Sequence, residues 1–593
     1  MSSSESRPAL LGVCPGVGDE VERVTVRDSG RWRPGEHRSA RCPGGYVAVV
    51  GACLVDDARM RADLATAVRD DRPELVASWP GSYLAVLVRD REVTAFVDLA
   101  GQHPLYYAGT PVVFGTSPRQ VAEAARLARR PDPVVAATDV FCAAVPALTR
   151  NLTPITGLRK VEGGQALRVS RTGEVTLWSY ARREPDESFT AEECAAALRD
   201  ALDAAVAARM SSGAAVSADF SGGLDSTSVA FLAARHRTEP LTAFTYHHPD
   251  APADDLVHAR RNAALAHGLR HEVVRGTADT LTYRDLDPHP ADELPDFAAA
   301  VRSRNRLRLR HVASAGATVH LGGEGADALV VAPPSYLGDL ARTGQVERLL
   351  ADSRSWARLR NDSPARVVRR AVRLSATSRR RALHDLARRL HRGEARRPTW
   401  VDAISWWPGP GPEARWLTPG ARSLLADAVH EHAARCADAF DGGVADYTAR
   451  HDLERSGAVQ HRLSEIARSY GVWPQAPFLD NDVIRACTRL PAHRRAVGAE
   501  FKPLLRNALR GRVPETVFLR RGKGNYLAED YRGVRAAAPE LKTLLRSSRL
   551  ADLGVVEPRS VVDSVEDAAA GAGTPFPALN RLLAYEVWLG ATS

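Results

Sequence analysis

Between residues 221 and 227 the chain reads Ser221-Gly222-Gly223-Leu224-Asp225-Ser226-Thr227, with hydroxyls, glycines and a carboxylate crowded together. An apolar-leaning run from Ala214 to Phe220 precedes it and predicts a short buried strand. Ser228-Val229-Ala230-Phe231-Leu232-Ala233-Ala234 follows and predicts a helix. A strand that enters a helix through a tight glycine turn is an anion site, because unpaired backbone N–H groups and the positive end of the helix dipole point outward together. Gly222 and Gly223 allow the sharp turn and a close backbone approach to a phosphate. No Gly-Lys-Ser/Thr follows, so this is not a Walker loop. An ordinary glycine-rich strand–helix turn would share the local pattern, and residues further along the chain separate the two.

A second glycine run, Gly322-Gly323-Glu324-Gly325-Ala326-Asp327-Ala328, lies about 100 residues later, after a strand-like stretch from Ala317 to Leu321. Taken alone it could be one more turn. A third stretch is marked by composition. Of the 80 basic residues only Lys160, Lys502, Lys523 and Lys542 are lysines, so arginine is written almost wherever a generic cation would do. Lys523, in Arg520-Arg521-Gly522-Lys523-Gly524-Asn525-Tyr526, therefore points to a need for a compact point charge. Such a group can follow charge from a leaving pyrophosphate to a tetrahedral intermediate.

The elements that must position these residues alternate. After the first loop and its helix, Leu241 to Tyr246 predicts a strand, Pro252 to Leu269 a helix and His271 to Val274 another strand. Strands separated by helices of this length argue for a parallel sheet with right-handed crossovers, whose ligands sit beyond the carboxyl ends of the strands. Ala191 to Met210 predicts an amphipathic helix leading into the first loop. Residues 1–185, in contrast, read as a β-rich domain: Tyr46 to Val55, Gly81 to Val88, Thr94 to Asp98 and Pro104 to Ala108 predict successive strands, with a helix over Ala58 to Arg69. Residues 190–593 form the second domain, which is mostly helical beyond Trp400.

A length of 593 residues calls for two or three domains. Apolar residues make up 44% and charged residues 25%, as in soluble globular proteins. No apolar run approaches the roughly 18 residues of a membrane span, and the N-terminus lacks the basic and apolar regions of a signal peptide. Seven cysteines (14, 42, 53, 142, 194, 436 and 487) include no C-x-x-C pair, which argues for reduced thiols in a cytoplasmic setting and against zinc. The net charge of +9 is local. Between Arg366 and Arg397, twelve arginines face Asp385 and Glu394, leaving the other 561 residues at −1. That segment carries Leu383, Leu386 and Leu390 at helical spacing, so it is either a solvated helix face that packs on a neighbour or a docking surface for an acidic peptide or partner protein. No basic, aromatic-interleaved platform for nucleic acid is visible.

Several stretches carry a resemblance. Ser-Gly-Gly-x-Asp-Ser resembles the pyrophosphate loop of the ATP pyrophosphatases. Gly322 to Ala328 resembles the Ser-Gly-Glu-Gly-Ser-Asp-Glu segment of asparagine synthetases, with Gly322 for the serine and Ala328 for the last glutamate. Val472-Trp473-Pro474-Gln475-Ala476-Pro477-Phe478-Leu479-Asp480 ends like that family's Val-Pro-Phe-Leu-Asp motif. In the first domain, Asp98-x-x-Gly101-x-x-Pro104-Leu105-Tyr106-Tyr107, with Gly163-Gly164 and Trp178-Ser179-Tyr180, resembles the glutaminase domain of the same family. The implied fold is an α/β and α+β two-domain chain: an N-terminal Ntn-type, glutaminase-like α/β sandwich, then a parallel-sheet ATP-pyrophosphatase domain of the adenine nucleotide α-hydrolase-like type with helical additions. Working glutaminases of this family expose a cysteine after Met removal. Here residue 2 is Ser2 and the first cysteine is Cys14, which implies a retained scaffold that generates no ammonia.

The resemblance implies ATP along the first loop, with Ser221, Gly222, Gly223, Asp225, Ser226 and Thr227, together with Gly322 and Gly323, as nucleotide-binding residues. It implies Mg²⁺ on Asp225 and Asp327, Lys523 as the charge-stabilising group, and Glu324 or Tyr526 as the group that deprotonates an amine. With no ammonia source, the amine arrives on the substrate. Lys523-Gly524-Asn525-Tyr526 is similar to the Lys-Gly-x-Tyr segment of the lasso-peptide macrolactam cyclases, and Leu582-Leu583-Ala584-Tyr585-Glu586-Val587-Trp588-Leu589 to their closing helix. That implies a linear core peptide as substrate, supplied by a leader peptidase and a precursor-recognition protein, with neither nucleic acid nor membrane as partner. A small-molecule amide or β-lactam synthetase is the alternative, although the β-lactam enzymes carry Tyr-Gly-x-Asp where this chain has Glu324. A silent binding scaffold is the other.

Overall fold

The computed structural model describes residues 8–14, 24–90, 92–181, 185–289, 292–436, 442–519 and 527–592. Lys523 and Tyr526 lie outside the described residues.

Two antiparallel sheets make the first unit. The six-stranded sheet runs, in spatial order, Val175–Ser179, Gln165–Val169, Glu92–Phe96, Gly81–Arg89, Gly45–Cys53 and His37–Cys42. The five-stranded sheet runs Thr25–Ser29, Ala9–Cys14, Val112–Gly115, Leu105–Ala108 and Arg159–Val161. Their inner faces meet through Ala48, Val50, Leu84, Val86, Leu105 and Phe114. The other face of the larger sheet, with Val47, Val49, Tyr83 and Leu87, packs on Met60, Leu64 and Ala67 of the helix Asp57–Arg69. Both faces of Gly45–Cys53 are therefore buried, which is why its sequence is continuously apolar and not alternating. The outer face of the smaller sheet meets the helix Pro133–Phe141, whose N-cap Asp132 accepts hydrogen bonds from the N–H groups of Val134 and Val135. The layers run helix, sheet, sheet, helix, the sandwich class that the sequence implied.

The second unit centres on a parallel sheet in the order Leu269–Arg275, Leu241–His247, Val216–Asp219, Val319–Leu321 and Trp473–Gln475. The chain enters at the middle strand, builds outward on one side, then crosses to the other. Val216–Asp219 and Val319–Leu321 are thus neighbours at the point where the winding reverses, and the two glycine runs leave the sheet side by side. The helix expected over 252–269 is shorter, Asp254–Ala263, and the chain turns back at Gly268 with φ 94°. The helix Ala191–Met210 opens with a capping box between Thr190 and Glu193.

The arginine-rich segment folds as two helices, Pro364–Ser375 and Arg379–His391. Leu383, Leu386 and Leu390 are buried in a core shared with Leu425 and Val429 of the helix Pro419–Arg435, while Arg369, Arg373, Arg381 and Arg392 are exposed. The closing helix Phe576–Thr592 is not a surface appendage: Leu582, Leu583, Tyr585 and Trp588 are buried in that same core against Val140 and Phe141 of the sandwich. Among the described residues no helix is long and apolar enough to cross a membrane.

Candidate functional site

The first loop is tied to itself. Ser221 N–H donates to Ser226 Oγ at 3.1 Å, the two serine hydroxyls lie 2.9 Å apart, and Gly223 N–H donates to Ser221 Oγ at 3.2 Å. The helix Leu224–Arg235 then starts on Gly223 with no side chain capping its first N–H groups, which leaves donors for an external anion. Gly222 has φ +72°, and a Cβ there would stand 2.5 Å from the Asp255 carbonyl oxygen and 2.8 Å from the Ala259 nitrogen. No side chain fits. Ser226 and Thr227 are buried on the first turn, Thr227 fully.

The second loop rides on the first. A Cβ on Gly323 would lie 2.5 Å from the Ser226 nitrogen and 2.7 Å from Asp225 Cβ, so glycine here is what lets the two loops touch. Gly322 sits beside Asp219, which ends the central strand. Asp219 accepts from Arg308 Nη2 at 2.5 and 2.6 Å and pairs with His320 Nε2 at 3.1 Å. Burial alone would raise its carboxyl, but Arg308 and His320 outweigh burial and hold it well below the usual carboxylate range. Glu324 is half-buried in this loop, and Asp327 opens the helix Ala326–Val330.

Asp225 and Asp327 come together on one cation. Lys502 Nζ lies 2.5 and 2.6 Å from the two oxygens of Asp225 and 2.7 Å from Asp327 Oδ1. The lysine side chain is 2% exposed and Asp327 64%, so the cluster opens to solvent on the Asp327 side. Lys502 is the N-cap of the helix Pro503–Ala508 and has φ 54°, an unusual conformation for a long side chain. Burial pulls its ammonium down, but the two aspartates more than compensate and its pKa is raised. The ammonium offsets the repulsion between the two carboxylates.

Among the described residues no group of three or more His, Cys, Asp or Glu side chains is poised for a metal. A pair of carboxylates is nevertheless what Mg²⁺ asks of a protein, since it completes its shell with phosphates and water. Asp225 and Asp327, held within reach of a single atom, fit that requirement.

Sequence reading brought out both loops but missed Lys502, Asp219 and Arg308. The scarcity of lysine that singled out Lys523 applied equally to Lys502. Nothing local marked Asp219, whose partners come from a helix and a neighbouring strand.

The sandwich reaches this site through the loop that holds Leu99 and Gln102. Gln102 Nε2 donates to the Leu479 carbonyl at 3.2 Å, and Leu99 N–H donates to Asn481 Oδ1 at 2.9 Å. Leu479 in turn packs against Gly325, where a Cβ would stand 2.2 Å from Leu479 Cδ2. The next residue, Asp480, takes a bidentate pair from buried Arg209 at 2.7 and 2.6 Å. The first unit therefore braces the segment on which the second loop rests.

No curated protein matches the chain in sequence. Two solved structures are similar at 13% identity. One is the glutamine phosphoribosylpyrophosphate amidotransferase from B. subtilis complexed with ADP and GMP, covering 56% of this chain and 71% of that one at a TM-score of 0.20. The other is described as the allosteric regulatory enzyme of purine biosynthesis, covering 58% and 72% at a TM-score of 0.19. Neither likeness bears on the reading of the site. The asparagine synthase family model, however, matches residues 197–590, the stretch that holds both glycine loops, Lys502 and the sheet that positions them, and the chain belongs to that family.

Proposed function

We propose that this protein closes a macrolactam: it adenylates an Asp or Glu side-chain carboxylate of a linear lasso core peptide, and that peptide's own N-terminal amine displaces AMP. The family's chemistry is ATP-dependent amide-bond formation. The observation that carries the reading is the convergence of Asp225 and Asp327, from loops on neighbouring strands, on Lys502.

Backbone N–H groups of the Gly222–Gly223 turn and the start of the following helix hold the phosphate oxygens of ATP. Asp225 and Asp327 would hold Mg²⁺, which when bound offsets charge on the departing pyrophosphate. The substrate carboxylate oxygen bonds to the α-phosphorus as the bond to pyrophosphate breaks. The amine nitrogen then bonds to the acyl carbon as the bond to AMP breaks, and the amine loses its proton. Lys502 keeps the two aspartates together through both steps. Lys523 is assigned the charge on the tetrahedral intermediate, and Glu324 or Tyr526 the amine's proton. In this reading the amine is carried by the substrate itself. The core peptide would reach the protein through a leader peptidase and a precursor-recognition protein.

The test is to incubate the purified protein with ATP, Mg²⁺ and a linear core peptide. A product lighter by one water, with AMP and pyrophosphate, supports the reading. ADP formation, or AMP release that needs no peptide, overturns it. Pyrophosphate exchange driven by free amino acids would point instead to small-molecule amide synthesis, and failure to bind ATP would point to a silent scaffold.

A further inference from the structure

A cavity of about 840 Å³ lies between the sandwich and the helix Val444–Ala467, within the roughly 300–1,000 Å³ typical of small-ligand sites. Both units line it. On one side it reaches Ala328 and Leu329, the residues directly after Asp327, so it borders the nucleotide site. The roles assigned above leave it unused.

Its wall carries an unusual set of acceptors. His451 and Glu454 are three residues apart on the same helix face. His451 Nε2 lies 3.1 Å from the Ala143 carbonyl of the sandwich, and its Nδ1 is buried with no hydrogen-bond partner. Burial pulls His451 down to about 4. The ring is therefore neutral, Nε2–H donates to Ala143, and Nδ1 is left as a bare acceptor. Glu454 makes no hydrogen bond or ion pair among the described residues. Glu162, from the sandwich, faces it as a like charge; Arg150, Lys160 and Arg450 are the cations near it. Lys160 is already held by Glu162 at 3.5 Å. Arg462, also on the wall, is tied to Asp292 and Asp296.

We propose that this cavity is the seat of the substrate's amine, with Glu454 and Glu162 accepting N–H donors of an ammonium group and Glu454 taking the proton that must leave before attack. The proposal rests on the amide-forming reading above and adds where the nucleophile waits. The first proton passes from the ammonium nitrogen to a Glu454 oxygen, freeing the nitrogen lone pair for the acyl carbon, and the second, lost as the amide forms, stays with Glu324 or Tyr526 as assigned above. The match in acidity is good. Burial, and then Glu162, raise the Glu454 carboxyl to about 7, close to the 7.7–8.0 or so of a peptide α-amine.

The experiment compares the wild type with Glu454→Gln, using a linear peptide that has a free N-terminus and an internal Asp or Glu. Three rates are read: peptide-driven ATP–pyrophosphate exchange, ring closure by mass, and capture of the adenylate by added hydroxylamine, a small neutral nucleophile. The seat predicts that at saturating peptide E454Q keeps wild-type exchange and hydroxamate formation but loses ring closure about 100-fold. That loss should shrink as pH rises past roughly 8, where the amine is already neutral. Undiminished ring closure in E454Q overturns the seat, and so does equal loss of all three rates, which would mark a structural role. If the wild type itself shows no peptide-driven exchange, the amide-forming reading fails and the seat falls with it.

Discussion

Asp98 and Asp225 both sit in glycine-bearing loops, one in each unit, and they are satisfied in opposite ways. Asp98 is fully buried, and its oxygens accept the backbone N–H groups of Ala100, Gln102 and His103 at 3.2, 3.0 and 2.8 Å. Its own loop uses it up. Asp225 receives its donor from Lys502, 277 residues away, and a second carboxylate shares that donor. A carboxylate closed by adjacent backbone is a fastener. One that shares a buried ammonium with another carboxylate, beside an uncapped helix start, keeps oxygens that can face a metal and a phosphate. The sandwich uses its buried acid to shape the loop that braces Leu479 and Asn481, and the parallel sheet uses its acids to face a ligand.

The sharpest way to break that contrast is to neutralise the site aspartates. Asp225→Asn or Asp327→Asn should lower ATP–pyrophosphate exchange by at least ~100-fold while thermal unfolding changes little; near-normal exchange would place the metal elsewhere. Lys502→Met should do both kinds of damage. It removes the ammonium shared by Asp225 and Asp327, at about 3 kcal/mol in denaturant unfolding, and it also reduces exchange. Asp98→Asn should be a purely structural lesion. An amide can still accept from Ala100 and Gln102 but turns an NH₂ group toward the His103 N–H, costing about 2 kcal/mol. The folded fraction should exchange pyrophosphate normally.

The smallest effect concerns pH. Glu454 titrates near 7 in the folded protein against an ordinary 4.5, so the folded state holds a proton that the unfolded chain releases. The associated stability is complete below about 4.5 and is lost as pH rises through about 7. Glu454→Gln should remove this slope, so that the variant gains in melting temperature relative to wild type between pH 5 and pH 8. Stability gained together with ring closure lost would set Glu454 apart from a fastener such as Asp98.

Much of the second unit was legible because its signals are short-range. The strands into each loop are apolar runs ended by glycine, and Gly222 and Gly323 are required by a positive φ in one case and a close approach in the other. The leucine spacing in the arginine-rich segment likewise foretold which face is buried. What stayed hidden depended on distant partners. The helix expected to run to 269 stops at Ala263, where the chain turns to deliver the next strand. His451, an ordinary helix histidine in sequence, acquires an orphaned nitrogen only because Ala143 of the sandwich takes the other.

By itself the sequence determined the two turns, the strands that feed them and the presence of an acid on each, because backbone preferences are decided by neighbours a few residues away. Only the tertiary structure decided that Lys502 would meet those acids, and that a loop of the sandwich would brace the segment beneath the second turn. Charge pairing and close packing depend on distance in space, and residues 225, 327 and 502 have no shared distance until the sheet has closed.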